Sequence, residues 1–155
     1  QGLLLMAVNP KFITCDNWSA AMLPDLLRRF EQGYQDLAHK TLRRFASLQA
    51  QGSANPKLLA ARMIELMPVQ AEKILGLKLL QALDERLHLS QLSQPCFLEL
   101  AEDDGLVPWA WVNQLQLPSN IQLNSVLGGH GYVLEQESMG TKMLEFLQLG
   151  CNSDA

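Results

Sequence analysis

The sequence lacks the features that mark membrane-spanning and secreted proteins. Its apolar runs are much shorter than the roughly 20 residues that a membrane-spanning helix needs. Residues 1–8 have no basic start, so we interpret them as a buried strand and not as a signal peptide. We therefore expect no contact with a membrane and a cytoplasmic location.

Cysteine and histidine are also sparse. The chain has an odd number of cysteines at wide spacing, which argues against a disulfide framework and fits a reducing compartment: Cys15, Cys96 and Cys151. It has three histidines without the spacing of a zinc site: His39, His88 and His130. The sequence therefore predicts no metal site and no organic cofactor.

What is present is the composition of an ordinary globular protein, because 48% of the residues are apolar and 18% are charged. The net charge of −4 is unevenly distributed. Residues 25–78 hold nine Lys or Arg against five acids, a net +4, which leaves −8 for the remainder. A basic surface on an acidic chain indicates an acidic partner. It is too sparse for nucleic acid, and aromatic residues are not interleaved with it.

Short strands alternate with helices, which predicts an α/β fold. Residues 2–8 form an apolar run typical of a strand buried in a parallel sheet, and residues 96–101 and 121–127 give two more strands. A short helix is expected over 108–115 and a final helix over 138–149. Strands and helices alternating at this spacing indicate parallel strands joined by right-handed crossovers.

Four helices are predicted between the first and second strands. Pro24 can open the first of them, and its apolar residues recur at spacings of three and four as far as Leu48. Gly33 can divide this stretch into two helices. Asn55 is expected to cap the next helix, with Pro56 as its first residue.

These elements divide the chain into three parts. Residues 1–15 are the first core strand and its exit loop, and residues 16–83 are a helical cap. Residues 84–150 are a C-terminal α/β core that begins with a linker over 84–95.

Two loops that follow predicted strands carry residue types suited to proton transfer. Asp104 begins the segment Asp-Gly-Leu-Val-Pro, and His130 lies in Gly-Gly-His-Gly. Ligand sites of parallel sheets lie at the carboxyl ends of the strands, and neighbouring strands are about 4.8 Å apart, so these two side chains can meet. An aspartate that accepts one imidazole proton fixes the tautomer and leaves the other ring nitrogen as a base.

Each of these residues has a structural alternative. Asp103 or Asp104 could cap the helix expected near Pro108. His130 could be an ordinary loop histidine. The joint position of Asp104 and His130 after two strands of one sheet favours the catalytic interpretation.

The nucleophile that such a pair would serve is absent from the sequence. No Gly-x-Ser-x-Gly motif occurs, and no other Ser or Cys, including Cys15, lies in a comparable sharp turn. We therefore interpret the chain as the later half of a hydrolytic enzyme whose nucleophile lies outside it.

The two loops resemble those of the α/β-hydrolases, and of the pimeloyl-acyl-carrier-protein methyl ester esterases in particular. Asp104-Gly105-Leu106-Val107-Pro108 resembles the acid loop Asp-x-x-Val-Pro, and Gly129-His130 with Glu135-Gln136 resembles the histidine loop. A further likeness to the cap helices of that family lies in Phe45, Leu48, Gln49 and Gly52. The stretch from Asp84 to Pro95 resembles the family's return from cap to core.

The resemblance covers nearly the whole chain from Leu3 to Leu149. It implies the C-terminal portion of an α/β-hydrolase: three parallel strands with flanking helices and a four-helix cap insertion. It also implies a serine elbow and an oxyanion loop before the first residue.

Further candidate site residues lie in the exit loop and the cap. Phe12, Cys15 and Trp18 follow the first strand, where an acyl chain could pass, and are candidate substrate-lining residues. Arg29, Lys40 and Arg44 would share one face only if their helix is unbroken at Gly33, and a solvated face is the alternative. The resemblance implies a basic cap surface that meets an acidic carrier protein, with its best matches at Lys40, Arg44, Lys57 and Arg62.

The expected function is hydrolysis of a carboxylic ester through an acyl-enzyme, with the methyl ester of a carrier-bound dicarboxylic chain as the preferred substrate. The alternatives are a general small-ester or lactone hydrolase and a non-catalytic helical interaction module. The strand at 3–8 would present an unpaired apolar edge. We therefore expect it to pair with the missing N-terminal half or a second copy of the chain, which sedimentation can detect.

Overall fold

The computed structural model describes residues 2–67, 73–135 and 141. Its described part contains a three-stranded parallel sheet in the order β1-β2-β3, formed by β1 (Leu3–Met6), β2 (Cys96–Ala101) and β3 (Ile121–Val126). In the register of this sheet Leu5 lies beside Leu98, which lies beside Leu123. The predicted parallel α/β sheet is confirmed.

The first strand is shorter than predicted over 2–8. Ala7 has a φ of 49°, a left-handed conformation that turns the chain out of the sheet. Its amide still donates to the carbonyl of Glu99 at 3.0 Å, so the departure begins directly after the last ladder bond. In the part of the sheet that is described, β1 is an edge strand, and any strand that pairs beyond it stays a prediction.

The first cap helix, α1 (Pro24–Gln49), is bent back on itself at Leu37, whose φ of −145° and ψ of 63° are not helical. The rings of Phe30 and Phe45 are 5.1 Å apart, whereas fifteen residues of straight helix would separate them by about 22 Å. The expected break therefore exists, but it lies at Leu37 and not at Gly33. A Cβ at Gly33 would lie 3.0 Å from Thr41 Oγ1, so the absence of a side chain there lets the two halves approach.

The remaining helices are α2 (Pro56–Leu66), α3 (Lys73–Ala82) and α4 (Arg86–Ser90). Asn55 is the N-cap of α2 as predicted, although its side chain makes no capping bond. The interpretation of 84–95 as a plain linker is wrong, because it contains α4, which buries Leu89 in the core. Residues 109–114 form a 3₁₀ helix where a short helix was predicted. The helix predicted over 138–149 lies outside the described residues, apart from residue 141.

The main core lies on one face of the sheet. Cys96, Leu98 and Leu100 of β2 alternate toward it and are almost fully buried. Trp18 and Trp111 close it, with ring centroids 6.3 Å apart. A second cluster joins α1 to α2 through Ala46, Ala50, Leu59 and Met63. The segment before Pro24 thus packs with the sheet, as do Leu89 of α4 and, in part, Phe45 and Leu48 of α1.

An ion cluster ties the segment that enters the cap to the segment that leaves it. Arg86 donates hydrogen bonds to both carboxylate oxygens of Asp84 at 2.7 and 2.8 Å, and Lys11 Nζ lies 3.1 Å from the same carboxylate. The Arg86 guanidinium also lies 5.4 Å from the centre of the Trp18 ring. The hydrogen bonds from Arg86 hold the pKa of Asp84 well below its usual range, so the carboxylate is ionised at neutral pH.

Truncating a core leucine is expected to be costly. Leu98 is 0% exposed, and Leu98→Ala should lower the free energy of unfolding by about 2–5 kcal/mol, because it removes buried methyl groups and leaves a cavity. Leu127 is 82% exposed, and the same change there should stay within about 0.5 kcal/mol. Urea denaturation followed by circular dichroism measures both. Equal losses at the two positions would contradict the described core.

Candidate active site

The loops after β2 and β3 bring an acid and an imidazole into direct contact. Asp104 Oδ2 and His130 Nδ1 are 2.8 Å apart. The side chain of Asp104 is 1% exposed and that of His130 is 23% exposed. The predicted acid–base pair is therefore present as a geometric fact. Its catalytic role is a proposal.

The Asp104 carboxylate uses its two oxygens for different purposes. Oδ1 accepts hydrogen bonds from the amides of Leu106 at 2.8 Å and Val107 at 2.9 Å. These bonds close the acid loop on itself and leave Oδ2 for the imidazole. The residue that caps the following 3₁₀ helix is Pro108, so Asp104 does not act as its N-cap. Asp103 is exposed and lies beside the pair without joining it.

The pairing through Nδ1 determines what the imidazole can do. When Nδ1 carries the proton shared with a carboxylate, Nε2 is left with a lone pair that can accept a proton from a substrate or nucleophile. The carboxylate also stabilises the imidazolium that forms when Nε2 takes that proton. The arrangement is therefore suited to general base and then general acid catalysis.

Glycines on both sides of His130 allow a close approach of the cap. Gly128 has a φ of 116°, which disfavours other residues. A Cβ on Gly129 would lie 1.6 Å from the carbonyl oxygen of Gln51, in the loop between α1 and α2. We predicted that these glycines permit tight turns. The contact of these glycines with Gln51 and Gly52 could not be predicted from the sequence, where the glycines themselves were the only indication of a close approach.

A buried tyrosine supports the histidine loop from below. The Tyr132 hydroxyl donates to the carbonyl of Glu99 at 3.1 Å. Burial raises the pKa of Tyr132 well above its usual range, and the carboxylates of Glu99 and Asp104 add to the shift. Asn124 donates to the Glu99 carboxylate at 2.7 Å, so the polar groups beneath the loop are linked across β2 and β3. Neither Glu99 nor Tyr132 was among the predicted site residues.

An apolar cavity of about 740 Å³ lies between the halves of α1, α3 and the acid loop. Gly105, Leu106 and Pro108 form its wall next to the Asp104 carboxylate. The remaining lining residues are largely aliphatic and aromatic: Phe12, Ala21, Met22, Leu23, Leu26, Leu27, Phe30, Tyr34, Leu42, Phe45, Leu48, Met67, Gly76, Leu77 and Leu80. The volume falls within the range of small-molecule binding sites.

The structure places only one of the three candidate lining residues at this cavity. Phe12 is part of its wall, whereas Cys15 and Trp18 are not. Cys15 is exposed and contacts the Asn17 side chain. Trp18 is 1% exposed in the sheet core, where its indole N–H donates to the carbonyl of Lys11 at 2.9 Å. Both residues make structural contacts elsewhere, and their assignment as substrate-lining residues stays a prediction that this cavity does not support.

The four candidate partner-binding residues, Lys40, Arg44, Lys57 and Arg62, are all exposed. Lys40 and Arg44 follow the bend at Leu37, whereas Arg29 precedes it. The three therefore do not share the face of one straight helix, and that ridge is not formed. Arg62 also donates to the carbonyl of Leu134 at 3.1 Å, which gives it a structural contact beside any role in binding.

The part of the chain that the structure describes offers neither a cluster of metal ligands nor a membrane-spanning helix. No group of three or more His, Cys, Asp or Glu in that part of the chain could hold a metal ion. None of its helices is long and apolar enough to cross a membrane.

The fold and site together define the class of protein. A sheet whose strands end in a paired aspartate and histidine, beneath a helical cap, is the architecture of the C-terminal portion of an α/β-hydrolase. Solved structures share this fold. An esterase from Exiguobacterium antarcticum has a TM-score of 0.77 at 17% identity, over 93% of this chain and 55% of that one. An enol-lactonase from Burkholderia xenovorans LB400 has a TM-score of 0.73 at 16% identity, over 96% and 56%.

In sequence, the chain is similar to pimeloyl-[acyl-carrier protein] methyl ester esterases. It is 30% identical over 152 residues to that esterase of Vibrio vulnificus, over 93% of this chain and 59% of the relative. It is 34% identical over 130 residues to the biotin biosynthesis bifunctional protein BioHC of Cellvibrio japonicus, over 82% and 26%. The chain thus spans less than two thirds of the length of these relatives. No protein-family model matches it.

Alkaline pH is expected to weaken the contribution of Tyr132 to stability. At pH 7, Tyr132→Phe should lower the free energy of unfolding by about 1 kcal/mol through loss of the bond to Glu99. Because the folded-state pKa is raised, the contribution is complete below about pH 10 and is lost as the pH rises and the unfolded tyrosine ionises.

The difference between wild type and Tyr132→Phe should therefore be constant below about pH 10 and should shrink between about pH 10 and pH 12. Urea denaturation at a series of pH values measures it. A difference that stays constant over this range would contradict a buried, neutral Tyr132.

Proposed function

We propose that this chain supplies the general base and its orienting acid to a serine carboxylesterase. The observation that carries the proposal is the 2.8 Å contact between Asp104 Oδ2 and His130 Nδ1, with the carboxylate buried at the carboxyl ends of two parallel strands. The names of the similar proteins, which include esterases and a lactonase, support the same reaction class. We assign the nucleophile to a serine outside these 155 residues.

In the proposed reaction, His130 Nε2 takes the proton of the serine hydroxyl as the serine oxygen attacks the ester carbonyl. The tetrahedral intermediate collapses and breaks the bond to the alcohol, which leaves with the proton that His130 returns. Water then attacks the acyl-enzyme by the same route and releases the carboxylic acid. Asp104 does not take up a proton at any step, and its carboxylate stabilises the imidazolium.

The cavity supports an apolar substrate arm. Gly105, Leu106 and Pro108 of the acid loop line it, whereas Asp104 and His130 do not, so a chain lying in it would reach the loop that carries Asp104. Within the described part of the chain no Lys, Arg, Asp or Glu lines it. An alkyl chain without a free charge is therefore the group that suits this space.

For the particular substrate we propose the methyl ester of a dicarboxylic acyl chain held on a carrier protein. The similarity to pimeloyl-[acyl-carrier protein] methyl ester esterases supports it, as does an apolar cavity large enough for several methylenes. A small-ester or lactone hydrolase is the second candidate, favoured by the fold shared with an enol-lactonase. A non-catalytic helical interaction module is the third.

The proposed acid can be tested with a nearly isosteric change and a matched neighbour. Asp104→Asn, in the full-length parent protein, should lower kcat for p-nitrophenyl acetate by up to about 10⁴-fold, because an amide cannot hold the imidazole in the reactive tautomer. Asp103→Asn changes an exposed carboxylate one residue away and should leave kcat unchanged.

His130→Ala should abolish the same activity. If Asp104→Asn and His130→Ala both retain wild-type turnover, or if Asp103→Asn loses as much as Asp104→Asn, the proposed function is wrong.

We further propose that four exposed basic residues of the cap, Lys40, Arg44, Lys57 and Arg62, bind an acidic carrier protein. Lys40 and Arg44 are one helical turn apart on the second half of α1, and Lys57 lies on α2. Exposed charges of one sign mainly raise the association rate of an oppositely charged partner, and salt screens this effect.

The double charge reversal Lys40→Glu with Arg44→Glu should weaken binding of an acyl carrier protein, and should raise KM for a carrier-bound ester while leaving turnover of p-nitrophenyl acetate intact. Lys78→Glu, which changes an exposed lysine of α3, is the matched control and should alter neither carrier binding nor this KM. Surface plasmon resonance at low and high salt measures the binding. A carrier complex without any ester turnover would favour the interaction module. Binding that changes with neither salt nor charge reversal would exclude this surface.

A further inference from the structure

At Gly52 and Gly129 the cap and the histidine loop touch through backbone atoms. Gly52, in the loop between α1 and α2, has a φ of 83°. A Cβ there would lie 2.8 Å from the amide nitrogen of Gly129 and 3.0 Å from the carbonyl carbon of Gly128. A Cβ on Gly129 would in turn lie 1.6 Å from the carbonyl oxygen of Gln51. Only glycine fits at these two facing positions.

The same loop also reaches the residues on either side of Asp104. A Cβ on Gly52 would lie 3.2 Å from Asp103 Cβ, and one on Gly105 would lie 3.8 Å from the side-chain oxygen of Gln51. The Asp103 amide donates to the carbonyl of Gly128 at 3.1 Å. The acid loop, the histidine loop and the cap loop therefore meet at one point.

Helix α2 fixes the far side of the histidine loop. A Cβ on Gly131 would lie 2.5 Å from Met63 Cε and 2.8 Å from Leu59 Cδ2, so this turn is pressed against the helix. Arg62 Nη1 donates to the carbonyl of Leu134 at 3.1 Å. Ser53 donates to the carboxylate of Glu135. The 3₁₀ helix that begins at His130 is thus held by the cap along its length.

We propose that the loop Ala50–Ser53 is a positioning element for the imidazole, and that Gly52 is its central residue. His130 lies on a short 3₁₀ segment and is joined to Asp104 by one hydrogen bond. The cap loop prevents this segment from moving away from the carboxylate. That this positioning serves catalysis rests on the proposed function, whereas the positioning of the imidazole itself does not.

The experiment observes the hydrogen bond itself. The Nδ1 proton of an imidazole bonded to a carboxylate gives a far-downfield ¹H NMR resonance, assigned here by its absence in His130→Ala. In Gly52→Ala the added methyl group has no space beside Gly129, and we expect this resonance to be lost while circular dichroism still reports a folded protein. A folded Gly52→Ala protein that keeps the resonance would overturn the proposal.

Arg86→Ala is the control for a general loss of stability. It breaks the ion cluster at the other junction of cap and core and should lower the melting temperature without removing the resonance. If Arg86→Ala removes the signal as Gly52→Ala does, the signal reports overall stability and the proposal is wrong.

If Gly52→Ala does not fold, the double variant Ser53→Ala with Arg62→Gln decides. It removes the exposed hydrogen bonds to Glu135 and to the carbonyl of Leu134 without introducing a clash. The Nδ1 proton of His130 should then exchange faster with solvent. Glu65→Gln, another exposed residue of α2, should leave the exchange rate unchanged. An unchanged rate in the double variant overturns the proposal.

None of these measurements requires ester turnover. A protein without esterase activity would therefore refute the proposed function and leave this inference standing. In an active preparation Gly52→Ala should lower kcat by about 100-fold with little change in KM, as expected when a catalytic group is displaced by about 1 Å.

Discussion

The Asp104 carboxylate is the group on which the rest of the site depends, because one of its oxygens closes its own loop and the other binds the histidine loop. Oδ1 accepts hydrogen bonds from the amides of Leu106 and Val107, whose side chains are buried in the core, and Leu106 also lines the cavity. Oδ2 binds the imidazole. A buried carboxylate is tolerated only when such bonds replace its hydration. The structural role of Asp104 in its own loop is therefore compatible with its proposed catalytic role.

The bend in α1 produces the cavity. A straight helix would hold Phe30 and Phe45 far apart, whereas the bend at Leu37 lets their rings meet and encloses an apolar space between the two halves. Two of the contacts that join the cap to the core differ in chemistry. One is the ion cluster of Lys11, Asp84 and Arg86, and the other is the backbone contact of Gly52 with Gly129.

The two surfaces suited to binding are separate and chemically distinct. The cavity is lined by aliphatic and aromatic groups, while the charged residues Lys40, Arg44 and Lys57 are exposed on the cap. An apolar chain and a charged carrier could therefore be bound at the same time without competing for the same side chains. If both proposals hold, substitutions at one of these surfaces should leave the other unaffected.

The sequence alone determined the parallel strands and the acid–base pair. Apolar runs identify buried strands, and parallel strands place the residues that follow them at one edge, so the meeting of Asp104 and His130 follows from order along the chain. Tertiary structure alone decided the bend at Leu37, the burial of Trp18 and the contact of Gly52 with Gly129. These depend on surfaces that are distant in the sequence and become neighbours only when the cap packs on the core, and no local periodicity encodes such a contact.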